Sequence, residues 1–323
     1  MSNSNQLEMM ERIALDLEGV ERALASSFNT GSEDFNELIR PLSEAGGKRL
    51  RAQLCLLIAN AGQSVEEERI KIAEAVEMLH LATLIHDDVL DQAEIRRGEE
   101  TIHKHKGNKV AILSGDYLFA KAFRIVSEMP HMEYLKIFSH IITCLVEGEF
   151  MQMEDVYRID QGIERYMIKT QKKTADFMEG CMELGGLLGG WSTEEIVYLK
   201  RYGHALGMAF QITDDIMDYR ETSDTTGKPV GNDLREGLLT YPLLSIVNES
   251  NQDQLLKDIK NLNHGGNEQD LIDYVIAQGG IDNTLQVAQQ YCDDALSALQ
   301  SIRDFDGKEF LVLAVQNLAD RKV

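Results

Sequence analysis

Two stretches of this sequence set three carboxylates at one spacing. IHDDVLD (85–91) carries Asp87, Asp88 and Asp91, and ITDDIMD (212–218) carries Asp214, Asp215 and Asp218. On a helix, residues i and i+4 share a face. Asp87 therefore points with Asp91 and Asp214 with Asp218, with Asp88 and Asp215 beside them. Carboxylates crowded into an apolar segment repel one another and resist burial, so each set calls for a positive partner. Oxygen-only ligands suit a hard cation such as Mg²⁺, which takes one or two carboxylates together with substrate phosphate and water. A single DDxxD is more often a solvated acidic helix end. Two of them, each near the end of a long apolar helix, fit a multi-metal cage if they face each other.

Basic clusters accompany the acids. AGGKRLR (45–51) places Lys48, Arg49 and Arg51 behind two glycines, which let backbone approach an anion. Lys48 and Arg51 are three apart and would share a side at a helix start. Arg96 and Arg97 follow the first acidic set, Lys172, Lys173 and Thr174 lie mid-chain, and GKPVGND (227–233) adds Lys228. Any one cluster reads as a surface ion pair. Together, in a chain of net charge −22, they read as two phosphate-rich sites, one held through metal and one directly by Lys and Arg. His80, close to two helical turns before Asp87, reads either as a core histidine or as a phosphate contact. No GxSxG, catalytic Cys/His constellation, Walker loop or GxGxxG is present. Metals and cations without a nucleophile suit chemistry in which the substrate's own diphosphate leaves.

The elements that must hold these groups are helices. Apolar residues recur at three- and four-residue steps over 7–28, 52–62, 66–94, 109–129, 132–156, 162–190 and 193–221, and again around 240–248, 269–278, 283–301 and 307–318. Strand signals are almost absent, and only four prolines interrupt 323 residues. No compositional break divides the chain, so the expectation is one all-α helical domain over 1–323. The acidic balance, 54 Asp+Glu against 32 Lys+Arg, argues against a nucleic-acid binder. Cys55, Cys144, Cys181 and Cys292 form no CxxC and stand at no metal spacing from a histidine, which reads them as reduced core thiols and the compartment as cytoplasmic. Neither a signal peptide nor a stretch of transmembrane length is expected.

GGKRLR, DDVLDQAEIRRG, GEFMQ (148–152), KKTA (172–175), the GxxxGxxxQxxDD pattern from Gly203 to Asp215 and GKPVGND, in this order, resemble the trans-isoprenyl diphosphate synthases over nearly the whole chain. Within that family the sequence looks most like the catalytic large subunit of the bacterial hexaprenyl and heptaprenyl enzymes. The resemblance implies an isoprenoid synthase helical bundle with a central active-site cavity. It implies three Mg²⁺, replaceable by Mn²⁺: two on Asp87 and Asp91, with Asp88 in support, and one on Asp214, with Asp215 and Asp218 nearby. Arg96, Lys173 and Lys228 would contact the allylic diphosphate, and Lys48, Arg51, His80 and Arg97 isopentenyl diphosphate. Thr174 and Gln211 would stabilise the allylic cation. The implied partners are isopentenyl diphosphate, an allylic primer such as farnesyl diphosphate, and a second subunit, either another copy or a small non-catalytic chain. Transient membrane contact would release the product, a menaquinone side chain being the expected destination.

The chemistry then runs in three steps. Neutralising the leaving diphosphate lets the allylic C–O bond ionise. The isopentenyl double bond, held alongside, attacks the cation. A proton leaves to the departing diphosphate. Chain length is expected to depend on Leu79, Ala82 and Thr83, where shorter-chain members resemble this region but carry aromatic rings. Small residues there let the tail pass. Phe119 and Phe123 are either a lower floor or simple core aromatics. The sequence departs from the family at Ala52, where proline is usual, at Glu99 and Glu100, and in lacking arginines over 166–174. A basic end at Arg321 and Lys322 folds over isopentenyl diphosphate in relatives. The alternatives are a medium-chain, geranylgeranyl-type synthase, a class I terpene cyclase and a non-catalytic helical subunit.

Overall fold

The computed structural model describes residues 3–28, 32–44, 49–96, 98–220, 231–262 and 266–319. Helices α1 (Asn3–Ser27), α2 (Glu33–Glu44), α3 (Leu50–Asn60) and α4 (Glu66–Leu90) come first. A two-stranded hairpin follows, β1 (Ile95–Arg96) paired antiparallel with β2 (Glu99–Glu100), with Arg96 opposite Glu99. Then come α5 (Ile102–Lys106), α6 (Asn108–Ser127), α7 (Met132–Asp155), a 3₁₀ turn at Ile159–Gln161, α8 (Gly162–Thr170), a π-helical turn at Gln171–Ala175, α9 (Asp176–Leu188) and α10 (Thr193–Arg220). The chain continues with α11 (Asn232–Glu236), α12 (Tyr241–Leu244), α13 (Gln252–Leu262), α14 (Glu268–Ala277), α15 (Gly280–Gln300) and α16 (Lys308–Ala319). The all-α expectation holds.

The chain forms two compact units. The first comprises Met1–Ser139, Gly180–Val197 and Asp304–Gly307, and α4 is its centre. Ile72, Ala73, Ala75, Val76, Met78, Leu79, Leu81, Ala82 and Ile85 are buried around the whole circumference of α4, as expected of a helix that is apolar on every face. It packs against α1, α3 and α6. Two of its buried charges are paired. Glu77 accepts from Arg49 Nη1 at 3.1 Å and from the Ala52 N–H at 3.2 Å. Arg69 donates to Asp16 at 2.7 and 3.0 Å. α6 runs antiparallel to α4: the His86 ring lies 3.1 Å from the Ile112 carbonyl, while near the other end Lys71 interacts with Glu128.

The second unit comprises His140–Glu179, Tyr198–Arg303 and Lys308–Val323. Its core gathers Tyr166, Ala175, Met208, Ile212, Ile216 and Tyr219 with Leu234, Leu243, Val275 and Ile281. Two glycines allow close helix contacts. A Cβ on Gly207 of α10 would lie 2.6 Å from the Ala175 Cα, and one on Gly148 of α7 would lie 2.7 Å from Lys173 Cγ. Both face the π-helical turn.

The structure corrects several sequence expectations. The helix meant to align Lys48 with Arg51 begins only at Leu50, after Arg49 in a left-handed conformation (φ 44°). The segment 66–94 stops at Leu90, because Gln92 also takes a positive φ of 51°. The segment 162–190 is broken by the π turn. The four cysteines are buried and free, yet Cys144 lies beside a histidine after all, with Sγ 3.7 Å from His140 Nε2. No helix among the described residues is long and apolar enough to cross a membrane.

Candidate active site

The first acidic set sits where α4 ends. The Asp91 N–H donates to the Asp87 carbonyl at 2.8 Å, so the last turn still holds these two residues in helical register. Asp88 is 4% exposed and receives Arg96 Nε at 2.6 Å. Arg96 reaches back because the hairpin folds β1 toward the helix end. The guanidinium expected on a diphosphate is thus also the counter-charge of a buried carboxylate. Arg51 and His80, expected together, are brought together: Arg51 Nη1 lies 3.4 Å from His80 Nε2. Burial pulls the Arg51 guanidinium below its ordinary range, while Glu77 and Asp87 work against that shift. On the same helix Leu79 and Ala82 are fully buried, and Thr83 donates its hydroxyl to the His80 carbonyl at 2.8 Å.

The second acidic set lies on α10. Asp214 is exposed, Asp215 buried and Asp218 half-buried. The Thr174 hydroxyl donates to Gln211 Oε1 at 2.9 Å, and Gln211 Nε2 donates to Asp215 Oδ1 at 3.0 Å. The Tyr166 hydroxyl donates to Asp215 Oδ2. Burial pushes the Asp215 carboxyl up to about 7, against the pull of its Tyr166 and Gln211 hydrogen bonds. The Asp218 carboxylate accepts the N–H groups of Asn232 and Asp233 at 3.0 and 3.2 Å, and so caps the start of α11. Lys173 Nζ lies 2.5 Å from Glu149 Oε2 and donates to Gln152 Oε1 at 2.9 Å. The GEFMQ motif thereby acquires a role. Gly148 admits the lysine backbone, and Glu149 and Gln152 hold its head.

Lys48, Arg97, Lys228, Arg321 and Lys322 lie outside the described residues. Sequence reasoning passed over Tyr166, Glu77 and His86. Tyr166 carried a usable signal, since it stands seven residues before Lys173 and so close to one helix face with it. Both acidic sets offer carboxylate oxygens only, and each keeps an exposed member, Asp91 or Asp214. That donor chemistry fits a hard divalent cation.

The Polyprenyl synthetase family model matches residues 32–278. The chain belongs to this family. This polyprenyl synthetase is 33% identical over 312 residues to the octaprenyl diphosphate synthase of Escherichia coli strain K12, covering 95% of this chain and 96% of that one. It is 32% identical to heptaprenyl diphosphate synthase component 2 of Geobacillus stearothermophilus, covering 89% and 90%. A solved polyprenyl synthase from Caulobacter crescentus, complexed with calcium and isoprenyl diphosphate, superposes with a TM-score of 0.89 at 30% identity, over 100% of this chain and 98% of that one. The polyprenyl synthetase is accordingly a prenyltransferase, a trans-polyprenyl diphosphate synthase. Relatives named as nonaprenyl and geranylgeranyl synthases show similar identity, so family membership leaves product length open.

Proposed function

We propose that this enzyme extends an allylic diphosphate such as farnesyl diphosphate with isopentenyl diphosphate to a hexaprenyl- or heptaprenyl-class product. The observation that carries the length is the wall of α4 beneath Asp87. Ala82 is small and fully buried, and no aromatic ring stands at Leu79, Ala82 or Thr83. Rings come from the antiparallel α6 instead. Phe119 packs on His86 with centroids 5.4 Å apart, and Phe123 follows one turn, about 5 Å, further along. Both are half-buried, which supports the floor reading over the core reading. A tail running down α4 would then meet Phe119 first and Phe123 one turn further on.

Arg51 and His80, with Lys48 and Arg97, bind isopentenyl diphosphate. Arg96, Lys173 and Lys228 bind the allylic diphosphate, which must draw Lys173 away from Glu149. The Thr174 hydroxyl and Gln211 amide direct oxygen dipoles at the allylic cation, and Asp215 and Tyr166 fix that amide. Asp87, Asp91, Asp214 and the remaining lone pairs of Asp218 hold Mg²⁺, with Mn²⁺ as a substitute. Bound Mg²⁺ supplies charge neutralisation for the leaving diphosphate. The reaction takes place in the cytoplasm, and the product passes to a quinone side chain.

A second subunit completes the enzyme. Val146, Phe150 and Met153 are 49%, 62% and 56% exposed along one face of α7, which supports a homodimer. The name of the Geobacillus relative, a component 2, keeps a different second subunit as the other reading.

The test is incubation of the purified chain with farnesyl diphosphate, labelled isopentenyl diphosphate and Mg²⁺, with and without cell extract. Labelled C30–C35 products are expected, and Ala82→Phe should shorten them. A product that stops at geranylgeranyl length under both conditions would overturn the long-chain reading. An unchanged length in Ala82→Phe would move the tail away from α4.

A further inference from the structure

The second unit assembles a mixed donor set away from the aspartates. His140 and Cys144 stand four apart on α7, with Sγ 3.8 Å from Nδ1 and 3.7 Å from Nε2. Asp176, the first residue of α9, adds a carboxylate, and the three donor atoms lie within 4.8 Å of one another. Nitrogen, thiol sulfur and carboxylate oxygen together are the ligands of a borderline-soft divalent ion rather than of Mg²⁺. With Zn–S near 2.3 Å and Zn–N near 2.0 Å, the S···N edge of a tetrahedron is about 3.5 Å. The 3.7 Å separation already approaches that edge. His140 is exposed and leaves the fourth position to solvent.

We propose that His140, Cys144 and Asp176 form a binding site for Zn²⁺ or a similar transition-metal ion, separate from the aspartate-rich stretches. The place for the ion is now held by a proton. Burial first, and then the Cys144 hydrogen bond to Asp176, push the thiol up to about 12. Binding forms the metal–sulfur bond and releases that thiol proton to solvent. Gln171 Nε2 donates to Asp176 Oδ1 at 3.2 Å and fixes the carboxylate from behind. The ammonium of Lys172, which would repel a cation, is tied to Glu147 at 2.5 Å. A bound ion would pin α7 to α9 across the π turn that carries Lys173 and Thr174.

A second triad, Asp176, Glu179 and His204, shares Asp176 and competes for the same carboxylate. It contains no sulfur, and Lys200 already lies 3.4 Å from Glu179. The experiment therefore reads sulfur directly. Full-length protein saturated with Mg²⁺ is titrated with Co²⁺ and followed by absorption. Thiolate-to-cobalt charge transfer in the near ultraviolet should grow to one equivalent. Cys144→Ser should abolish the band and Cys292→Ser should keep it. His140→Ala should weaken cobalt binding about tenfold or more. Circular dichroism checks each fold, with Cys144→Ala as the second variant should the serine variant unfold. Absence of the band in the wild type, or its survival in Cys144→Ser, overturns the proposal. Visible cobalt bands kept by Cys144→Ser but lost in His204→Ala would place the ion on the other triad and overturn it equally.

Discussion

The end of α4 and the end of α10 carry the same DDxxD spacing, but their middle carboxylates meet opposite surroundings. Asp88 is paired with the Arg96 guanidinium, supplied by the hairpin that follows it. Among the described residues no guanidinium pairs with Asp215. Two neutral donors, Tyr166 and Gln211, hold it, the Lys169 ammonium acts on it only through space, and burial lifts its carboxyl to about 7. The outer residues differ as well. Asp91 is exposed at a helix end, whereas Asp218 caps the start of α11. One spacing thus serves two constructions. In the first stretch the middle acid is paired with a cation before any ligand arrives. The second stores an unbalanced acid behind a hydrogen-bonded chain that ends at Thr174. This difference fits a division in which the first stretch anchors charge and the second also orients the Thr174–Gln211 pair.

The strongest way to break the comparison is to remove the outer acid on each side. Asp87→Ala and Asp214→Ala should each lower kcat/KM by orders of magnitude in steady-state assays, because each removes a proposed metal anchor. Near-wild-type turnover for either would leave that stretch without a role in ionisation. Next is Gly207→Ala. Its new methyl would press on the Ala175 backbone 2.6 Å away, and backbone cannot rotate aside. A loss of about 1–3 kcal/mol in denaturant unfolding is expected, together with reduced kcat as Thr174 shifts. Arg96→Met should destabilise by about 1–3 kcal/mol by leaving Asp88 buried without its donor, whereas Tyr166→Phe, which removes a neutral donor, should cost less. Equal losses in chemical melts would erase the distinction between the two middle acids.

The smallest effect is a pH slope in metal-free protein. The ordinary Asp value is 3.8, and Asp215 in the folded chain titrates at about 7. Between those values the folded state holds a proton that the unfolded state has lost, so Asp215 makes stability fall as pH rises through that window and level off above it. Below the window its contribution has no slope. Melting curves of wild type and Asp215→Asn in chelator should diverge in that direction, and parallel curves would remove the unbalanced acid.

The long helices were legible because periodicity accumulates over many turns, as in α4 and α10. α2 and α13 went unread, as did five-residue α5 and α11, the last two because so few residues fix no phase. Both acidic triplets and the Thr174–Gln211 partnership were legible from spacing and family resemblance. The ion pair of Arg96 with Asp88 was not, because residue types alone assigned both to ligands and a hairpin of two-residue strands carries no pattern. Tyr166 was passed over for a related reason: its spacing to Lys173 was there to be read, but only the structure shows its hydroxyl meeting a carboxylate. The Cys144 neighbourhood escaped because the four-residue step from His140 to Cys144 was not recognised as a spacing that brings the two together on one helix face.

The π-helical turn at Gln171–Ala175 is a helix carrying one residue more than its turn requires. Such a surplus acts on phase. The turn absorbs that residue, so deleting it would restore ordinary winding and leave the flanking helices nearly in phase, whereas deleting a residue within α8 would rotate everything beyond it by about 100° relative to everything before it. Tyr166, before the turn, and Thr174, within it, meet the same Gln211–Asp215 pair, and only the second kind of deletion would part them. A single-residue deletion in α8 should therefore be far less tolerated than one within the turn, and the helix works here as a gear in which the turn is the one place with a tooth to spare.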